Sequence, residues 1–138
     1  MPQPLAATPL MLPMSEGRVR AGFPSPAEDL AVNRLDLTQI LVTHPQATFL
    51  VRVAGASMRE AGIDDGDTLV VDRVIKPQHG HVVVAVVDGD FTVKYLHQRA
   101  GRMRLKAANP TFPDIVPKDG HTVEAWGVVT SSIKCFVP

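Results

Sequence analysis

The 138 residues are enough for one compact domain with a core and a tail, and too few for two domains of ordinary size. Fourteen basic and fourteen acidic residues give a formal net charge of zero, which excludes the strongly basic character of an autonomous DNA-binding domain and favours protein partners. A single cysteine, Cys135, excludes an internal disulfide and a cysteine metal cluster; its valine-rich surroundings suggest a buried, inert thiol. The apolar run 82–87 is far shorter than the roughly 20 residues of a membrane-spanning helix. Residues 4–14 are apolar but broken by Pro9 and Pro13 and lack a basic leader, so they make a poor signal peptide. The expected location is cytoplasmic, without membrane, metal or cofactor.

In chain order, residues 1–33 read as an extended arm without a core: prolines stand at positions 2, 4, 9, 13, 24 and 26, β-branched residues are few, and no period is sustained. Residues 34–138 then form the domain. A short helix is expected over 36–43, capped by Asp36, carrying Leu37, Ile40 and Leu41, and ended by Pro45. From there the pattern is mainly β, with strands expected over 48–54, 68–72, 81–87, 91–97, 102–107 and 123–136. These segments are rich in Val, Ile and Thr and are separated by Gly, Pro, Asp and Asn turns. Such spacing predicts short, mostly antiparallel strands in a sandwich or partly open barrel. Asp88-Gly89-Asp90 reads as a hairpin turn that lays 82–87 beside 91–96.

Two places carry potential chemistry. In Val53-Ala54-Gly55-Ala56-Ser57-Met58-Arg59, a serine follows a strand and a glycine and opens a turn of helix that ends at Gly62. A serine there is either an N-cap or a nucleophile whose neighbouring amides face a developing oxyanion. In Phe91-Thr92-Val93-Lys94-Tyr95-Leu96, strand alternation puts Lys94 on the face of Thr92 and Leu96. That lysine is either solvated at an edge or held in a desolvated place. A serine hydroxyl needs a base. His44, His79, His81, His97 and His121 all fall beside turns or strand ends, and spacing suggests no carboxylate partner for any of them. Lysine serves as a base if burial brings its pKa from about 10.4 towards neutrality.

Together these pieces resemble the LexA-type self-cleaving family of serine-lysine peptidases, and within it the UmuD branch of SOS mutagenesis proteins. The matching residues run along most of the chain. They include Ala21-Gly22-Phe23-Pro24-Ser25-Pro26, Leu35-Asp36-Leu37, His44-Pro45, Gly55-Ala56-Ser57-Met58 and Gly66-Asp67-Thr68-Leu69-Val70-Val71-Asp72. They continue through His79-Gly80, Val87-Asp88-Gly89-Asp90-Phe91-Thr92-Val93-Lys94, Asn109-Pro110 and Gly127-Val128-Val129. The resemblance implies a LexA-like catalytic domain, with Ser57 as nucleophile, Lys94 as general base and Ala21-Gly22 as the self-cleavage site. It implies an oxyanion hole from the backbone at Ser57 and its neighbours Ala56 and Met58. It further implies that cleavage is stimulated by RecA filaments on single-stranded DNA. The product would be a homodimer that joins a UmuC-type Y-family polymerase subunit in translesion synthesis. Two departures stand out: His81 replaces an acidic residue usual after the glycine, and residues 1–20 match only in general character.

Other readings fit less well. A full repressor of this type carries a helix-turn-helix domain, for which the proline-interrupted first residues leave no room. A signal peptidase with related chemistry would carry a membrane anchor. A protein-interaction module that keeps the fold without cleavage, or the catalytic fragment of a LexA-like repressor, is the remaining alternative.

Overall fold

The computed structural model describes residues 8–15, 18–19, 21–22, 32–118 and 122–137. The strands are β1 (Met11–Ser15), β2 (Val32–Asp36), β3 (Thr48–Arg52), β4 (Thr68–Asp72), β5 (Val82–Val87), β6 (Asp90–Arg99), β7 (Arg102–Lys106) and β8 (Val123–Ile133). One α-helix, α1 (Leu37–Leu41), occurs among the described residues. The chain divides into two compact units, one within Ala7–Thr43 and one within His44–Pro138. Among the described residues no helix is long and apolar enough to cross a membrane.

In the first unit, β1 and β2 pair antiparallel, with Met11 opposite Asp36 and Ser15 opposite Val32. The sequence pattern predicts no strand in the arm. Pro13 and the missing alternation hide β1, yet a two-stranded ribbon consists only of edges, where a missing N–H is tolerated. The pairing also carries β2 across the boundary expected at 33/34. Asp36 ends β2, and its carboxylate accepts the Thr38 amide at 3.0 Å, capping α1 as anticipated. Residues 23–26, which carry part of the family resemblance, lie outside the described residues.

The second unit is built on one six-stranded antiparallel sheet, ordered β3-β4-β8-β5-β6-β7. The mainly β, antiparallel expectation is therefore borne out, in an open sheet with β3 and β7 at its edges. Both faces are covered in the middle. Val84 packs with Leu69, Val71, Met58 and Trp126, whereas Val83 and Ala85 pack with Leu96, Leu105 and Val128. That double burial explains why β5 reads as an unbroken apolar run rather than an alternating one. Asp88 and Gly89, both at positive φ (48° and 88°), form the two-residue turn between β5 and β6. Such primed turns match the strand twist and favour an Asp-Gly pair.

Gly127 lies in β8 where β4 comes close: a Cβ there would meet Val71 Cγ1 at 2.6 Å. Val71 is fully buried and has no room to withdraw. Gly127→Ala is therefore expected to destabilise the fold by about 1–3 kcal/mol, read as a lower urea midpoint with an unchanged slope.

The C-terminal end departs from expectation. β8 stops at Ile133 rather than running to 136, because Lys134 turns to bridge Asp64 at 2.8 Å and Asp67 at 2.6 Å. Cys135 is consequently exposed, not buried. Its valine-rich neighbourhood in sequence does not become a packed one, since the chain leaves the sheet before reaching it.

Candidate active site

Ser57 sits on a turn that is held from two sides. Beyond β3, the Val53 amide donates to the Asp67 carbonyl and the Gly66 amide to the Val53 carbonyl, each at 2.8 Å. Gly55, at φ +96°, then turns the chain in a conformation closed to most side chains, and its amide donates to Asp65 Oδ1 at 2.8 Å. On the other side, the Ala108 amide donates to the Ser57 carbonyl at 2.8 Å, and the Glu60 amide to the Ala108 carbonyl at 2.7 Å. Asn109 Nδ2 donates to the Ala56 carbonyl at 2.9 Å, while its Oδ1 accepts the Thr111 amide and hydroxyl. Met58 is buried in the core directly after Ser57. A short 3-10 turn, Arg59–Ala61, follows and ends at Gly62, as the sequence suggests.

Lys94 comes from β6, an interior strand, and is only 7% exposed. Its Nζ lies 2.9 Å from Ser57 Oγ, 2.9 Å from Thr92 Oγ1 and 3.1 Å from the Val93 carbonyl oxygen. Among the described residues no carboxylate pairs with it. Burial alone therefore acts on this amine and pulls its pKa below the ordinary lysine value. A neutral amine has two N–H bonds and one lone pair. In that form, donation of the two N–H bonds to Thr92 and the Val93 carbonyl would leave the lone pair for the Ser57 hydroxyl. This arrangement has the chemistry to take a proton from that hydroxyl.

The structure thus brings together Ser57 and Lys94, which lie 37 positions apart in sequence. The amides of Ala56, Ser57 and Met58 make no hydrogen bond to another described residue. A cavity of about 220 Å³ opens beside Ser57, with Val51, Val53, Phe91 and Val93 in its walls. Ala21 and Gly22 form an exposed bend in the connection between β1 and β2 of the first unit.

Three contributors are not found by reading the sequence for chemistry. Thr92 falls on the face of Lys94 without an evident role; its position two residues away on one strand face is the signal that finds it. Asp65 and Asn109 act on the backbone of the Ser57 turn from distant loops; Asn109 falls in a motif that carries the resemblance, but without an assigned role, and nothing local marks Asp65.

The histidines are elsewhere. No described histidine forms a hydrogen bond with Ser57. His44, for which spacing suggests no carboxylate, has one: its Nδ1 lies 2.6 Å from Asp72 Oδ2. The partner arrives through folding, because the end of β4 packs against the short turn at Pro45–Ala47. Burial opposes ionisation of Asp72, but His44 and the amides of Val74 and Ile75 outweigh it and hold the carboxyl below its ordinary pKa. His121 lies outside the described residues.

An open antiparallel sheet that buries a lysine against a serine hydroxyl is an architecture suited to a peptidase. The chain belongs to the Peptidase S24-like family, whose model matches residues 13–130. It is 46% identical over 123 residues to Protein ImpA of Salmonella typhimurium, a match covering 88% of this chain and 82% of that protein. It is 45% identical over 123 residues to Protein MucA of Escherichia coli, covering 88% and 84%. With the LexA repressor of Cupriavidus taiwanensis it shares 38% over 125 residues, 91% of this chain and 57% of the repressor. The resemblance to UmuD-type SOS mutagenesis proteins, within a family of self-cleaving peptidases, is thereby borne out.

Proposed function

We propose that this chain cuts its own arm between Ala21 and Gly22, with Ser57 as nucleophile and Lys94 as the neutral general base. The observation that carries this reading is the 2.9 Å contact between Lys94 Nζ and Ser57 Oγ, made by a buried amine with no carboxylate partner among the described residues. The amine takes the hydroxyl proton as Oγ attacks the Ala21 carbonyl carbon. The unoccupied amides of Ser57 and its neighbours Ala56 and Met58 stabilise the oxyanion. Lys94 then returns the proton to the departing Gly22 amine, and a water deprotonated by the same lysine hydrolyses the acyl-serine. Small residues suit this cut, since small side chains let an extended segment approach the serine closely.

Residues 1–33 act in this reading as the arm and 34–138 as the peptidase domain. Removal of residues 1–21 converts the protein from its inactive form to a homodimer that joins a UmuC-type polymerase subunit in SOS translesion synthesis. A RecA filament on single-stranded DNA accelerates the cut by favouring the docked arm, a population shift that needs no catalytic group from the filament. Incubation of the purified chain at alkaline pH, followed by mass spectrometry, tests the cleavage. The expected product begins at Gly22; a protein that stays intact, or is cut elsewhere, rejects the assignment.

A further inference from the structure

A net charge of zero conceals a strongly uneven distribution. The β6–β7 hairpin sets Arg99 opposite Arg102, His97 opposite Arg104 and Tyr95 opposite Lys106. Directly opposed residues on one sheet face have their Cβ atoms about 4.5–5.5 Å apart, and like charges so placed repel. Along β7, Arg102, Arg104 and Lys106 follow one another on the same face at about 6.8 Å, two residues per step. All three are exposed, as is Arg99. Among the described residues the one ion pair here is Arg104 with Asp114, at 3.4 Å between partly exposed groups. The His79 ring meets the His97 ring edge-on, with centroids 4.8 Å apart. Burial first, and then the nearby cations Arg104, Lys106 and Arg99, disfavour a charge on His97. A hollow lined by His97, Arg99, Arg102 and Arg104 completes the face.

Opposed arginines cost stability in the free protein, so their concentration on one hairpin needs a reason outside the fold. The geometry points to a binding face for the phosphate backbone of a single-stranded nucleic acid, read without regard to sequence. A regular row of three cations along β7, with Arg99 across from its first member, suits a chain with one negative charge per repeating unit. Guanidinium forks match phosphate oxygens with paired hydrogen bonds. The exposed imidazole of His79, beside His97, offers a flat surface on which a base can stack. The face is independent of the Ser57 chemistry and of the cleavage assignment.

Fluorescence anisotropy of a labelled oligothymidylate, titrated with the full chain over a range of salt concentrations, tests this. The parent should bind with a negative log–log salt slope. The triple variant Arg99→Ser/Arg102→Ser/Arg104→Ser should bind at least about tenfold more weakly, with the slope reduced by about 2, at roughly 0.7 for each phosphate no longer neutralised. A control variant, Arg34→Ser/Arg52→Ser/Lys76→Ser, should bind like the parent. Because the triple variant relieves repulsion, its urea midpoint should equal or exceed the parent's. A parent with no salt dependence, a triple variant that binds as the parent does, or an equal weakening in the control overturns the proposal. Tighter binding of polyglutamate than of oligothymidylate also overturns it and assigns the face to an acidic protein.

Discussion

Alanine at either Ser57 or Lys94 is expected to lower self-cleavage by on the order of 10³-fold or more, with the domain still folded. The two effects should not add. Once Lys94 is gone, Ser57 keeps its proton at neutral pH, and once Ser57 is gone, the amine has no nucleophile to activate; the double variant should therefore be about as slow as either single one. Ser57→Ala leaves the Lys94 amine its contacts with Thr92 and the Val93 carbonyl, so its structure should hardly change. The measurement is the rate of appearance of the fragment beginning at Gly22, taken alongside the urea midpoint of each variant. Normal processing in a folded Lys94→Ala protein would remove the lysine from the mechanism.

Cleavage is expected to accelerate with pH, by about tenfold per unit until the folded pKa of Lys94 is reached, because in the proposed mechanism only the unprotonated amine acts as base. The same burial governs stability. The folded pKa of Lys94 lies below its unfolded value, so at strongly alkaline pH the amine is neutral in both states and carries no ionisation penalty. As pH falls through the unfolded pKa, the unfolded chain takes up the proton first and the fold loses stability. The loss is complete below the folded pKa. Near neutral pH, Lys94→Met should therefore be more stable than the parent by roughly 0.5–2 kcal/mol while wholly inactive. At pH values above the unfolded pKa the stabilisation should shrink. A cleavage rate that is flat between about pH 6 and 10 would point to another base, and a clearly lower urea midpoint for Lys94→Met would contradict an unpaired buried amine.

Much of the second unit is legible in the sequence because its signals are local. Strand β4 falls where the Thr and Val run places it, and the Asp88-Gly89 turn does what its φ preferences require. Asp36 caps its helix for the same reason. The failures have a shared cause: each depends on what the chain meets in space. Pro13 argues against a strand until β2 is seen beside it. Cys135 looks buried until Lys134 is seen to leave the sheet for Asp64 and Asp67. His44 looks unpartnered until β4 delivers Asp72.

The sequence by itself determined the strand-rich class, the family resemblance and the pair of residues worth testing, since patterning and motif order are properties of neighbours along the chain. Only the tertiary structure decided that Lys94 is enclosed without a counter-charge among the described residues, that its amine lies within hydrogen-bond reach of Ser57, Thr92 and the Val93 carbonyl, and that Asp65 and Asn109 hold the turn bearing Ser57. It also decided that cations balanced over the whole chain gather on one hairpin face. Desolvation and opposed charges are set by atoms brought near through folding, and a linear pattern carries no measure of that distance.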